Sequence, residues 1–127
     1  LRIWVPSAGA PVPVTSTLDA SAHEPVEIPA SLEEEILRRD TQCIYCGVSF
    51  AIPSAARSRR PSWEHIINDA RIVTRENIAL CCIGCNASKG ARSLAQWLTS
   101  KYCRTHGISE WSSASVARVA LARARVS

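Results

Sequence analysis

The sequence predicts a small α+β domain braced by a metal ion. Two C-x-x-C pairs, Cys43/Cys46 and Cys82/Cys85, have the spacing at which each pair supplies two thiolates from a tight turn. The segment between the pairs contains two β-prone stretches, residues 62–67 and 77–82. Helix signals flank both pairs, and the 127 residues fit one small domain with room for an extra tail or helix.

Composition excludes several classes of protein. Hydrophobic residues make up 46% of the chain and charged residues 20%, an ordinary globular balance that excludes a fibrous repeat and disfavours a fully disordered chain. The longest apolar run, residues 78–83, is far too short to span a membrane. Prolines from Pro6 onward interrupt any signal segment. We therefore expect an intracellular, cytoplasmic protein with no membrane partner. Because methionine is absent even at position 1, we expect a fragment, a processed form or a chain that lacks its initiator.

Charge is distributed unevenly along the chain. Residues 1–35 carry one arginine against six acids, whereas residues 36–127 carry fourteen cations against five acids. Thirteen of the fifteen cations are arginine, whose planar fork suits phosphate oxygens. The basic part therefore has the electrostatics of a nucleic-acid-binding protein, although a solvated arginine-rich surface would give the same count.

The first elements are an arm and a helix. Residues 1–30 are rich in proline and acidic overall, and we interpret them as an extended arm or linker. The arm is expected either to pack on the basic domain or to join it to an additional domain or partner. A short strand is expected near residues 1–5. The sequence Ser31-Leu32-Glu33-Glu34 is a capping box and predicts a helix that ends near Asp40.

Three later helices are expected. One begins near Asn86 and is stopped or bent at Gly90, and a second opens at the capping box Ser93–Gln96 and ends near Gly107. A last helix covers residues 113–125, with Val116, Val119 and Ala120 as its apolar stripe. The expected domains are therefore a compact unit over residues 31–106 and a C-terminal helix within residues 107–127.

The cysteine pairs predict a structural zinc site. Two C-x-x-C pairs in an intracellular-looking chain favour a tetrahedral Cys₄ Zn²⁺ site over two disulfides or buried reduced thiols. The gap between the pairs is longer than in a simple zinc ribbon, so an insert must lie between them. The remaining cysteines, Cys81 and Cys103, are interpreted as packing thiols.

Three blocks of the chain resemble the HNH nucleases. The blocks are Trp63-Glu64-His65-Ile66-Ile67, Glu76-Asn77-Ile78-Ala79-Leu80 and Cys82-Ile83-Gly84-Cys85-Asn86-Ala87-Ser88-Lys89-Gly90. The resemblance covers about residues 31–98, and its combination of blocks is specific where any single block would be weak. It implies a ββα-metal fold braced by the Cys₄ zinc site, and a nuclease domain over residues 31–106.

The resemblance also implies the roles of the site residues. His65 is the general base, Glu64 and Asn86 hold a catalytic divalent metal, and Asn77 orients the His65 ring or the loop around it. These roles agree with the chemistry of phosphodiester hydrolysis, which needs a base near neutral pH and a hard cation on oxygen ligands. Two departures are Glu64 where the family usually has Asp, and the absence of a proline shortly after His65. The amide at position 86 suits Mg²⁺ or Mn²⁺.

The expected function is a metal-dependent DNA endonuclease that nicks or cuts both strands, leaving 5′-phosphate and 3′-hydroxyl ends. Lys89 and Arg92 are expected to contact backbone phosphates, so that binding has weak sequence preference. The alternatives are a non-catalytic zinc module that binds DNA or a protein, and the nuclease domain of a toxin-type effector. Singly, the site residues also have ordinary explanations: Glu64 could pair with Arg71 or Arg75, and Asn77 or Asn86 could cap a turn or a helix.

Overall fold

The computed structural model describes residues 27–126, which form a mixed α+β arrangement around one two-stranded sheet. The predicted strand near residues 1–5 and most of the predicted arm lie outside the described residues. The elements, in chain order, are α1 (Ala30–Arg39), a 3₁₀ turn (Arg57–Arg59), β1 (Pro61–His65), β2 (Ile78–Cys82), α2 (Ile83–Lys89), α3 (Leu94–Trp97), α4 (Lys101–His106) and α5 (Ser115–Val126).

Helix α1 begins one residue before the predicted capping box. Its N-cap is Pro29, whose carbonyl oxygen accepts hydrogen bonds from the backbone N–H groups of Leu32 and Glu33, both at 3.0 Å. Ser31 therefore lies inside the helix, and its assignment as the N-cap was wrong. The helix ends at Arg39 as expected, and its arginines in the last turn complement the helix dipole.

An ion pair attaches the end of α1 to the sheet. The guanidinium of Arg39 donates to Asp40 at 2.7 Å and to the carbonyl oxygen of Ile78 at 2.9 Å. Asp40 in turn accepts a hydrogen bond from the backbone N–H of Leu80 at 3.1 Å, and the Leu80 carbonyl accepts one from Ile44 N–H at 3.2 Å. The backbone groups of Ile78 and Leu80 on the outer edge of β2 therefore have hydrogen-bond partners. These contacts cover the edge at both residues.

The two predicted strands are present, and they pair antiparallel. Pro61 lies opposite Cys82, Trp63 opposite Leu80 and His65 opposite Ile78. Strand β1 ends at His65, two residues before the predicted end, because the chain turns into the loop that returns to β2. Every residue of β2 is buried, whereas β1 alternates between buried and half-buried positions.

Serine caps divide the C-terminal half into more helices than predicted. Helix α2 begins at Ile83, three residues earlier than expected, because the Cys82 sulfur accepts a hydrogen bond from Cys85 N–H. The predicted helix from Ser93 to Gly107 is in fact two helices. Ser93 caps α3 as expected, but the Ser100 hydroxyl accepts a hydrogen bond from Cys103 N–H and begins α4. Helices α2 and α4 end at Gly90 and Gly107, as predicted, and both glycines have positive φ angles.

Helix α5 packs on the core through two of the three residues of the predicted stripe, Val116 and Ala120. Ala117, Ala120 and Leu121 are buried, Val116 is partly buried, and Val119 is 47% exposed. The inclusion of Val119 in the stripe was therefore wrong. Small residues, which carry little hydrophobic signal on their own, face the core here.

Two apolar clusters form the core. The larger cluster joins the first cysteine pair to the hairpin and to α2 through α5, and Tyr45 and Trp97 are its largest members. Their rings meet edge to face at 4.9 Å, and the Trp97 indole N–H donates to the Ser88 hydroxyl at 2.9 Å. The smaller cluster lies under α1 and contains Ile36, Ile78 and Leu80. No helix within residues 27–126 is long and apolar enough to cross a membrane.

We expect Trp97→Ala to lower the free energy of unfolding by about 3–5 kcal/mol, because it removes the largest fully buried side chain. The matched control is Trp111→Ala, since Trp111 is 78% exposed and its loss should change stability by less than about 0.5 kcal/mol. Urea denaturation in metal-replete buffer measures both values. Equal effects of the two substitutions would contradict this core assignment.

Candidate metal centre and hairpin–helix site

The four cysteines of the two C-x-x-C pairs converge in space. Their sulfur atoms all lie within 4.8 Å of one another, so they could hold a metal ion. Cys43 and Cys46 come from the turn that follows α1, Cys82 ends β2, and Cys85 lies in the first turn of α2. Within residues 27–126 no other cluster of three or more His, Cys, Asp or Glu side chains could do so.

The backbone of both turns supports the sulfur atoms. Cys46 N–H points to the Cys43 sulfur and Cys85 N–H to the Cys82 sulfur, each at 3.4 Å. Gly47 has a φ angle of +82°, a conformation that side chains with a Cβ rarely adopt, and this lets the first turn reverse. The two turns therefore present their sulfurs in the same way although their surroundings differ.

The electrostatics of the cluster suit a thiophilic cation. Hydrogen bonds from the Cys43, Cys82 and Cys85 thiols hold the pKa of Cys46 well below its ordinary value. Contacts with the Cys43 sulfur, and then with the Cys46 sulfur, raise the pKa of both Cys82 and Cys85. The contact with Cys46 raises the pKa of Cys43, but hydrogen bonds from Cys82 and Cys85 outweigh it, and that pKa falls to about 7. A thiolate is thus favoured at the first cysteine pair and disfavoured at the second, because negative charges on adjacent sulfurs repel. A bound cation would remove that repulsion, and an all-sulfur donor set is typical of zinc or iron–sulfur sites.

Tyr102 adds a contact to the cluster that the sequence did not indicate. Its hydroxyl donates a hydrogen bond to the Cys85 sulfur at 3.5 Å, and the pKa of Tyr102 is raised, chiefly by burial. Such outer contacts orient metal ligands and tune their basicity. Tyr102 lies 17 residues after Cys85, and no local spacing pattern connects the two.

Glu64 lies in a buried polar network. Its Oε2 atom accepts a hydrogen bond from the Tyr45 hydroxyl at 2.7 Å and forms an ion pair with the Lys89 ammonium at 2.9 Å. Burial raises the pKa of Glu64, and Lys89 and Tyr45 offset part of that rise. Glu64 is therefore not a surface carboxylate.

The arginines considered as partners of Glu64 pair with other acids. Arg71 forms an ion pair with Asp69 at 2.8 Å, and Arg75 forms one with Glu35 at 2.6 Å. Those two pairs are exposed, unlike the pair of Glu64 with Lys89, and pairs of that kind contribute little to stability.

Lys89 is a buried cation, which corrects the expectation that it contacts phosphates. The residue is 1% exposed, and its Nζ also contacts the carbonyl oxygen of His65 at 3.4 Å. An ammonium enclosed in this way cannot reach a DNA backbone. Arg92, the other predicted phosphate contact, is exposed, although its guanidinium donates to the Ser88 carbonyl oxygen at 3.2 Å.

Asn86 joins α2 to β1. Its amide nitrogen donates to the Ser62 hydroxyl at 2.9 Å and to the Trp63 carbonyl oxygen at 3.0 Å. Both hydrogen bonds use the nitrogen, so the amide oxygen is the atom of Asn86 that could bind a cation. Asn86 lies inside α2 and is not its cap, since Cys82 occupies that position.

Asn77 organises the loop between the strands. Its amide nitrogen donates to the carbonyl oxygens of Ile67 at 3.2 Å and Ile72 at 3.1 Å, and its Oδ1 accepts a hydrogen bond from Ile67 N–H at 2.7 Å. The side chain is buried, and these bonds take the place of a regular ladder beyond His65. The segment that follows His65 therefore has a defined path.

His65 ends β1 on the strand face opposite Glu64. Successive side chains of a strand point to opposite faces, and the burial of β1 alternates accordingly. His65 is half-buried, and its Nε2 atom is buried. Asp69 is a charged neighbour: hydrogen bonding to Arg71 is the main reason that the pKa of Asp69 falls to about 2, and His65 contributes to that fall.

The predicted site residues are thus brought together in part. Asn86 and Lys89, one helical turn apart, contact four consecutive residues of β1 from Ser62 to His65. Glu64 shares that side of the strand, whereas the His65 side chain leaves from the other side. The Tyr45 hydroxyl completes the buried network, and only the tertiary structure identifies it.

In comparisons with known proteins, no family model matches the chain, and neither a curated protein nor a solved structure matches it. The residues and geometry of the chain itself are therefore the basis for its function.

We expect native protein to contain one divalent ion per chain, and Cys85→Ser to lose it together with the fold. Ion binding by such clusters contributes on the order of 10 kcal/mol to folding, and three thiols no longer complete a tetrahedral site. Elemental analysis and thermal unfolding, with and without chelator, measure both effects. Cys103→Ala is the control, because Cys103 lies outside the cluster and its variant should keep the ion. Metal-free native protein that stays folded would overturn the assignment.

We expect Lys89→Met to cost about 3–5 kcal/mol of stability at pH 7, because it leaves the Glu64 carboxylate buried without its cation. The pKa of Glu64 should rise further above its ordinary 4.5. With a raised pKa, the Glu64 carboxyl keeps its proton to higher pH in the native state than in the unfolded state. The difference from wild type should therefore be small in acid and widen as pH rises through the native-state pKa of Glu64.

The control for this prediction is the double variant Glu64→Gln/Lys89→Met, which removes both charges and keeps an acceptor for Tyr45. It should recover most of the lost stability, because replacing a whole buried pair is far less costly than removing one partner. Denaturant titrations from pH 4 to pH 8 provide the comparison. A double variant as unstable as Lys89→Met would show that poorer packing, and not an unpaired charge, causes the effect.

Proposed function

We propose that the chain is a metal-dependent nuclease of the HNH type, with a ββα-metal fold, that hydrolyses phosphodiester bonds in DNA. The observation that carries this proposal is the contact of α2 with β1. Asn86 and Lys89 bind the backbone and side chains of residues 62–65, so the third and first of the motif-bearing segments meet in one small unit. The antiparallel hairpin followed directly by a helix supports the same proposal.

The proposal includes a structural Zn²⁺ at the four cysteines. With four protein ligands the ion has no open position for a substrate, so its role would be to support the fold. Cys82 and Cys85 stand where β2 passes into α2, and this is the joint that sets how the helix crosses the hairpin. Zinc is favoured over an iron–sulfur cluster because the sulfurs lie close together, within 4.8 Å.

His65 is assigned as the general base. A histidine can take a proton from water near neutral pH, and its position at the end of β1 puts it where the hairpin opens into the loop. Asn77 serves as a positioning residue, because its three hydrogen bonds hold the loop that follows His65. Loss of that loop geometry would misplace the base without removing it.

A divalent metal would be held by the amide oxygen of Asn86 and by Glu64. Oxygen donors of this kind suit Mg²⁺ or Mn²⁺, and such an ion supplies positive charge that offsets the charge developing on phosphate oxygens. The fit is incomplete at Glu64, since its Oε2 already accepts from Tyr45 and pairs with Lys89. Lys89 contributes a fixed positive charge to the same region.

A second candidate function is a non-catalytic zinc module that binds DNA. The observation that favours it is the buried ion pair of Glu64 with Lys89, because a carboxylate neutralised by an ammonium has less affinity for a divalent cation. Both candidates require the zinc site and a basic surface. They differ only in the cleavage of a phosphodiester bond, which a direct assay detects.

The test is a plasmid-nicking assay with Mg²⁺ or Mn²⁺, with and without chelator. We expect metal-dependent nicking by wild type, and a loss of about 10²–10⁴-fold in rate for His65→Ala with zinc content and DNA affinity unchanged. His106→Ala is the control, since His106 is exposed on α4 and should keep wild-type activity. A His65→Ala variant as active as wild type would end the general-base assignment. Wild type that binds DNA but nicks it with neither metal would favour the non-catalytic module.

A further inference from the structure

Two long segments of the chain contain no acidic residue. Residues 41–63 and 77–109 lack Asp and Glu entirely. They carry seven of the cations, namely Arg57, Arg59, Arg60, Lys89, Arg92, Lys101 and Arg104. The acids of the described chain lie in and beside α1, in the loop between the strands, at Glu110, and at Glu64, which is buried. Positive charge is therefore concentrated on the elements around the cysteine cluster.

These two segments meet at the start of α2. The backbone N–H of Ile83 donates to the Arg60 carbonyl oxygen at 2.9 Å, which attaches the arginine-rich turn to the second cysteine pair. A Cβ added at Gly84 would lie 3.3 Å from both the Ser58 carbonyl oxygen and the Tyr102 hydroxyl. The 3₁₀ turn, the first turn of α2 and helix α4 thus come together around one residue that has no side chain.

The arginine-rich turn has a defined conformation. The Arg60 guanidinium folds back and donates to the carbonyl oxygens of Ser54 at 3.0 Å and Ala55 at 3.3 Å. Arg60 therefore organises the turn, while Arg57 and Arg59 are exposed on it. Lys101, directly before Tyr102, is exposed at the start of α4. A backbone of fixed conformation sets where the exposed cations begin, so less conformational entropy is lost on binding than in a mobile loop.

We propose that Arg57, Arg59 and Lys101 form the phosphate-binding surface of this protein, and that its occupant is the backbone of duplex DNA. This inference rests on the proposed function and moves phosphate binding from the buried Lys89 to the turn beside the metal centre. Arginine suits phosphate oxygens through its planar fork, and no acid in either segment opposes the approach of a polyanion. Contacts of this kind position the duplex without reading its bases.

The test measures binding of fluorescein-labelled duplexes of unrelated sequence by anisotropy, without Mg²⁺ so that no strand is cut. We expect Arg59→Ala to weaken binding severalfold and Arg57→Ala/Arg59→Ala to weaken it by tenfold or more, about equally on every duplex. The slope of log affinity against log salt should become less steep by about 0.9 for each phosphate that the variant no longer neutralises. Arg38→Ala is the matched control: it removes the same charge from exposed α1 and should bind as wild type.

Three results would overturn the surface: wild-type affinity in Arg57→Ala/Arg59→Ala, an equal loss in Arg38→Ala, or preferential binding to phosphatidylserine vesicles over duplex DNA. The proposed function fails separately. If DNA binding depends on Arg57 and Arg59 but the protein never nicks DNA, the phosphate-binding surface is supported and nuclease activity is excluded. If wild type nicks DNA, and Arg57→Ala/Arg59→Ala binds DNA as tightly as wild type does, the nuclease is supported and the phosphate-binding surface is excluded.

Discussion

The convergence of four cysteine sulfurs is the constraint on which the rest of the structure depends. An isolated hairpin of two five-residue strands is at best marginally stable in water, and the sheet within residues 27–126 has no third strand. The cysteine cluster ties the end of the hairpin and the start of α2 to the turn after α1. Once these segments are joined, Tyr45 and Trp97 can pack against each other and the later helices have a surface to cover.

The same joint determines where the polar residues lie. Because α2 leaves the second cysteine pair directly, one turn of it carries Asn86 and Lys89 onto β1. Burying an ion pair is costly in itself, and a hydrophobic pair would serve stability as well or better. The Glu64–Lys89 pair, hydrogen-bonded to Tyr45, is therefore costly to break by removing one partner, although replacing both partners would cost far less. The basic turn at Arg57 and Arg59 lies against the same helix, so the cysteine cluster positions both the proposed chemistry and the proposed DNA contact.

Local sequence signals predicted those elements whose causes are local. The spacing of each cysteine pair, the β-prone stretches and the stops at Gly90 and Gly107 all act within a few residues, and all were predicted correctly. The cap at Ser31 and the unbroken helix from Ser93 to Gly107 were wrong, because the same local rules allow competing choices. Pro29, and not Ser31, is the N-cap of α1, and Ser100 caps a separate helix inside the segment that was predicted as one. The stripe of α5 was wrong at Val119 alone, since Ala117 and Leu121 pack beside Ala120 and leave Val119 exposed.

By itself, the sequence determined which four cysteines form the cluster, where the two strands lie and how acidic and basic segments are separated along the chain. It also indicated His65, Asn77 and Asn86 as candidate site residues, through their order and spacing along the chain. Tertiary structure alone decided that Lys89 turns inward to Glu64, that Tyr45 and Tyr102 contact the site, and that the arginine-rich turn lies beside Gly84. The reason is physical: whether a charged side chain faces water or a buried partner depends on which distant segment packs over it, and no spacing along the chain encodes that contact.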